Sequence, residues 1–118
     1  HLQETRRQRD RIDQCFSLMG VESQEETCEA MQGLVKEGQE IIAADGDAEV
    51  KDAALIAAAQ RVEHYEIAGY GCCRTFAHQL GLHEVEQLLQ QTLDEEAHAD
   101  ELLTEIAESS INHMAAHN

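Results

Sequence analysis

KDAALIAAAQRVEHYEIAGY, residues 51–70, decides the fold. Leu55, Ile56, Ala59, Val62, Ile67 and Tyr70 recur on one side of it at helical spacing, and its alanine-rich remainder favours helix. Reading outward, the same side continues through Cys73 and Ala77, with no breaker stronger than Gly69 and Gly71. The spacing predicts one helix over 48–80, roughly 50 Å long at about 1.5 Å per residue. At about 100° per residue, the apolar side chains centre within about 20° of Glu66, and Glu63 and Tyr70 lie within roughly 60° of that centre. A glutamate therefore sits in the middle of an apolar stripe. His64 falls on the far side and reads as a surface or interface histidine.

Gly81 interrupts this helix, and Val85, Leu88, Leu89, Thr92, Ala99, Leu103 and Ile106 predict a last helix running to about residue 114. The short connector makes the two antiparallel neighbours. The stripe of the last helix centres near Leu103 and Thr92. Glu96 is then about 30° from its middle, Glu95 and Asp100 about 70° away on opposite edges, and His98 roughly 130° off. Upstream, Leu2, Thr5, Ile12, Phe16 and Met19 predict a first helix over 1–19 that stops at Gly20 and begins without a cap. His1 is in line with Ile12 and Met19, and Glu4 stands one turn along. Ser23 and Glu26 read as a capping box for a shorter second helix carrying Met31, Leu34, Val35, Ile41 and Ile42, which ends near Ala44 before the turn at 45–47.

The chain has 118 residues, 42% of them hydrophobic and none proline, which suits one all-α domain over 1–118 with a modest core. Its net charge of −16, from 24 acids against 8 bases, repels nucleic acid and anionic membrane surfaces. No run approaches the roughly 18 apolar residues of a membrane span and no secretory leader is recognisable, so a cytoplasmic protein is expected. Cys15, Cys28, Cys72 and Cys73 lack the Cys-x-x-Cys spacing of a zinc or redox site and read as core or half-exposed thiols.

Three predicted helices each offer a titratable pair at i, i+3 or i, i+4: His1 with Glu4, Glu63 with Glu66, and Glu96 with Asp100. An isolated ionised carboxylate in a dry core costs several kcal/mol, on the order of what a small domain has to spare. Grouped carboxylates protonate, recruit water or bind a cation. Carboxylates with one or two imidazoles suit iron or manganese, and bridging glutamates hold two such ions. On this reading Glu66 and Glu96 bridge the ions, and His1, Glu4, Glu63 and Asp100 are the terminal ligands. Glu95 and His98 spell Glu-x-x-His, but His98 faces away and is not taken as a ligand. Tyr70 either donates a hydrogen bond to the site or is a core tyrosine satisfied locally. The bland alternative places each acid at a helix edge, in solvent or against Arg61 or Arg74.

Residues 51–60 (KDAALIAAAQ) and 62–68 (VEHYEIA), with TLDEE at 92–96 and LTEIA at 103–107, closely resemble the YciE/YciF family of ferritin-like stress-response proteins. HLQET at 1–5 and AMQGL at 30–34 match as well, so the resemblance covers nearly the whole chain. It implies a ferritin-like antiparallel four-helix bundle with a di-metal carboxylate centre, usually dimeric and produced under stress. Family members begin with a further helix bearing a metal-facing glutamate that has no counterpart here, so a bundle lacking that first helix is expected. An uncovered apolar stripe would then favour a homodimer. Two functions follow as alternatives. One is a redox protein, peroxidase or ferroxidase-like, acting on peroxide or oxygen. The other is a non-catalytic stress-induced binding or scaffold protein with an empty metal site. Bulk iron storage needs a closed cage, of which the sequence shows nothing.

Overall fold

In the computed structural model, which describes residues 1–117, the chain is helical and has no strand among the described residues. The order is α1 (Leu2–Met19), α2 (Glu29–Ala43), α3 (Ala48–Gln79) and α4 (His83–Ile106), followed by a π-helical turn (Ala107–Ile111) and a short α5 (Asn112–Ala116). The long helix predicted over 48–80 is α3. The last helix, expected to run unbroken to about 114, instead changes pitch at Ala107. A single-turn π segment of this kind accommodates one residue more than an α turn does.

Two helix ends share one chemistry. Gly20 and Gly81 adopt left-handed φ angles of 67° and 70°. Their amides bond to Ser17 and His78, and the next amides, of Val21 and Leu82, reach back to Phe16 and Ala77. This double closure satisfies carbonyls that the helix end leaves free, and glycine adopts the required conformation without steric cost. The start of α2 differs from expectation. Ser23 and Glu26 lie outside the helix, and the cap is Cys28, whose Sγ accepts from the Met31 amide at 3.4 Å.

Contacts divide the chain into two compact units, to both of which α3 and α4 contribute. The first comprises His1–Glu26 and Glu66–Ala97. Its apolar core is small: Cys15, Ala77 and Val85 are buried, with Leu82, Leu88 and Leu89 packed against them. Polar side chains fill the rest of its interior, since Gln8, Arg11, Thr92 and Glu96 are buried too. The second unit comprises Thr27–Tyr65 and the chain from His98 onward. There Lys51 Nζ donates to the Ile42 carbonyl at 2.9 Å and closes the turn between α2 and α3, and Gln60 reaches Thr104 at 2.8 Å.

The stripe read for α1 is displaced by about one residue position. Leu2 is 66% exposed, Ile12 and Phe16 are half-buried, and the buried residues are Gln8, Arg11 and Cys15. With Glu4 they follow a 4-3-4 spacing, a helical face in its own right.

Candidate metal centre

Two successive glutamates of α4 in the first unit meet opposite fates. Glu95 is held by Arg11 through two hydrogen bonds, 2.6 Å to Oε1 and 2.9 Å to Oε2, and Gln8 Nε2 adds a third at 3.3 Å. Arg11 also donates to Thr92 Oγ1 at 3.2 Å. These bonds push Glu95 below the usual carboxylate range and raise Arg11, so both stay charged. Glu96 has no such arrangement. It is fully buried, and no arginine, amide or hydroxyl donates to either carboxylate oxygen.

The group beside Glu96 is another acid. Glu66, on α3, is half-buried, and its pKa is raised from 4.5 to about 8, first by burial and then by its hydrogen bond and charge repulsion with Glu96. Two carboxyls this close cannot both ionise cheaply, so the pair shares a proton or takes up a cation. Tyr70, one turn after Glu66, is pushed up to about 12 by burial and then by the charges of Glu66 and Glu96. Its hydroxyl keeps its proton throughout the physiological range. Glu66 and Tyr70 also border an open cavity of about 470 Å³ whose lining includes Arg9 and residues 23–26.

The start of α1 supplies the remaining groups of this unit. His1 is exposed, its Nδ1 lies 3.2 Å from Glu4 Oε2, and one of its ring nitrogens comes within 4.8 Å of a Glu96 carboxylate oxygen. Three helices thus bring Glu66, Glu96, His1 and Glu4 together.

The other two sequence-derived candidates belong to the second unit. Glu63 is buried on α3, one turn before Glu66 and more deeply placed than its neighbour, the reverse of the order expected from angular position. Asp100 is half-buried and already engaged, accepting from Gln60 Nε2 at 3.3 Å and lying 3.0 Å from His64 Nε2. His64 is exposed, as its far-side position predicts, and His98 is exposed too. The cations offered as alternative partners go elsewhere: Arg61 is 3.9 Å from Glu37, and Arg74 is 3.7 Å from Glu86. The cation that does enter the interior, Arg11, was missed by the sequence reading. Its signal was the Glu4, Gln8, Arg11, Cys15 spacing.

Comparison with known proteins gives a consistent picture. The family model described as "Domain of unknown function (DUF892)" matches residues 1–116. Protein YciF of Escherichia coli (strain K12) is 47% identical over 116 residues, which is 98% of this chain and 70% of that protein. The crystal structure of the E. coli stress protein YciF superposes with a TM-score of 0.90, covering 95% of this chain and 71% of that one. YcfI of Rhodopseudomonas palustris, for which a structural role has been suggested, is 41% identical with a TM-score of 0.84, covering 88% and 66%. The fold is therefore all-α, of the ferritin-like class.

Proposed function

Because the chain belongs to the DUF892 family and is a YciF-like stress protein, we propose that it holds two iron or manganese ions among these carboxylates and handles a small oxidant, peroxide or oxygen, there. The observation that carries this reading is Glu96: a fully buried carboxyl that meets no arginine, amide or hydroxyl and is set against a second acid, Glu66, which burial and Glu96 itself keep protonated up to about pH 8. The donor set fits. Oxygen-rich ligands with an imidazole suit these hard to intermediate metals.

On this reading Glu66, Glu96, His1 and Glu4 of the first unit would hold the ions, and Glu63 and Asp100 remain candidate ligands carried by the second unit. When bound, the metal pair supplies Lewis acidity and electrons toward the oxidant. The chain's own contributions are distinct. Glu66 gives up its proton as it becomes a ligand, which couples binding to pH. Tyr70 keeps a hydroxyl proton to donate beside the pair. Arg11, by holding Glu95, fixes the α4 turn that presents Glu96.

The same reading makes the protein a homodimer. In the first unit, Phe76 and Leu80 are 64% and 73% exposed, an apolar surface that a second copy would cover. No helix is long and apolar enough to cross a membrane among the described residues. The non-catalytic scaffold is the second reading, favoured by that exposed apolar surface and by the structural role suggested for YcfI.

Metal analysis of the purified chain and of its Glu66→Ala and Glu96→Ala variants separates the two. Two ions per chain in the parent and a loss in both variants support the centre. A metal-free parent whose variants are equally or more stable overturns it, because removing an uncompensated buried acid relieves the fold.

A further inference from the structure

Cys15 and Cys73, two of the four free cysteines, both line one apolar cavity of about 330 Å³ in the first unit. Cys15 is buried against Ala77 and Val85. Cys73 is exposed and stands one turn before Ala77 on α3, where residues four apart share a face with Cβ atoms about 5–6 Å apart. Cys15 thus packs on the row of α3 that carries Cys73. Cys72 points about 100° away from that row, and Cys28 is in the other unit. We propose that Cys15 and Cys73 form a reversible intramolecular disulfide when the protein meets a peroxide.

Exposure assigns the two roles. The Cys73 thiolate attacks one peroxide oxygen and the O–O bond breaks, leaving a sulfenic acid on Cys73 and a hydroxide that takes up a proton to become water. The Cys15 sulfur then attacks the Cys73 sulfur. The S–O bond breaks, and the hydroxyl leaves as a second water with the Cys15 proton. Two thiols lose two electrons in all, and one peroxide becomes two waters. Burial, reinforced by the Cys73 charge, pushes the Cys15 thiol up, so Cys15 waits for Cys73 and does not meet the oxidant itself. A bridge requires the two Cβ atoms to approach to about 3.5–4.5 Å. The cavity between them supplies the room for the side chains to turn and for α1 to shift against α3. Closing it staples α1 to α3 beside Tyr70, which lines the same cavity.

The test treats the reduced chain with hydrogen peroxide, alkylates the remaining thiols with iodoacetamide and reads the intact mass. Alkylatable thiols are expected to fall from four to two with the loss of two hydrogens and no intermolecular species, and a reductant should restore all four. Cleavage after glutamate separates Cys15 from Cys28 and should recover a cross-linked pair containing Cys15. Cys28→Ser and Cys72→Ser keep the bridge and Cys73→Ser abolishes it. Because Cys15 is a core residue, the peptide map of the parent carries its assignment even where Cys15→Ala does not fold. A bridge through Cys28 or Cys72, linkage only between chains, four alkylatable thiols after treatment, or Cys73 oxidised to the sulfinic acid with Cys15 free would each overturn the proposal.

Discussion

Glu66→Gln should flatten the pH dependence of stability of the metal-free chain. Folded, Glu66 keeps its proton up to about pH 8, whereas the unfolded chain releases it near 4.5. Between those values the native state binds one proton more than the unfolded state. The stabilisation is therefore fully present below pH 4.5, declines as pH rises, and is lost above about 8. At about 1.4 kcal/mol per pH unit, the interval sets a ceiling of about 5 kcal/mol. Glu66 is only half-buried and borders an open cavity, so solvent screening brings the expected effect down to about 2 kcal/mol. Urea unfolding with a chelator present, at pH values from about 5 to 8, measures it in parent and variant. Ionisation of the other acids of this strongly negative chain weakens both proteins alike, so the difference between their curves isolates Glu66. The parent should lose about 2 kcal/mol more than the variant over this range. Parallel curves would mean that Glu66 titrates as an ordinary surface carboxylate, and the argument for a shared proton would fail.

Arg11→Ala strands the charge of Glu95 and should cost about 3 kcal/mol in urea unfolding, while Arg11→Met combined with Glu95→Leu should recover most of it. Gly81→Ala forces a side chain into the left-handed conformation that closes α3 and should cost about 1–2 kcal/mol, read as a lowered Tm with no change in sedimentation. Phe76→Lys together with Leu80→Lys should move a dimer to monomer in sedimentation equilibrium while helical circular dichroism persists. A dimer that survives both lysines would place the interface elsewhere.

Helix identity was legible because the chain has no proline and its apolar residues keep one period over long runs. The stripe of α4 placed Thr92 and Glu96 inward, and both are fully buried. The stripe of α1 was misread for a physical reason. Angular counting weights apolar residues, whereas the interior beside α1 is polar, and Arg11 enters it because Glu95 and Thr92 supply its hydrogen bonds. The relevant partner lies 84 residues away in sequence, beyond the reach of any local pattern. The cap of α2 failed differently. A capping box is a statement about side chains near a helix start, and here a thiol five residues after Ser23 does the capping, a role that serine and aspartate usually fill.

The contrast between Glu95 and Glu96 bears on why the site is built as it is. Pairing a half-buried acid with arginine is within reach of this fold, since Arg11 holds the residue immediately before Glu96. The guanidinium also bonds Thr92, one turn before Glu96, so the turn of α4 that leads to Glu96 is tied to α1. Extending the same compensation to Glu96 would have needed one more donor, and what stands there is Glu66, a second acid, with the His1 imidazole close by. A buried acid set against a second acid costs stability that a glutamine in its place would not. A retained imbalance of that kind makes physical sense when the missing positive charge arrives from outside the chain, and Glu96→Gln should therefore raise the stability of the metal-free protein while removing its capacity to bind metal.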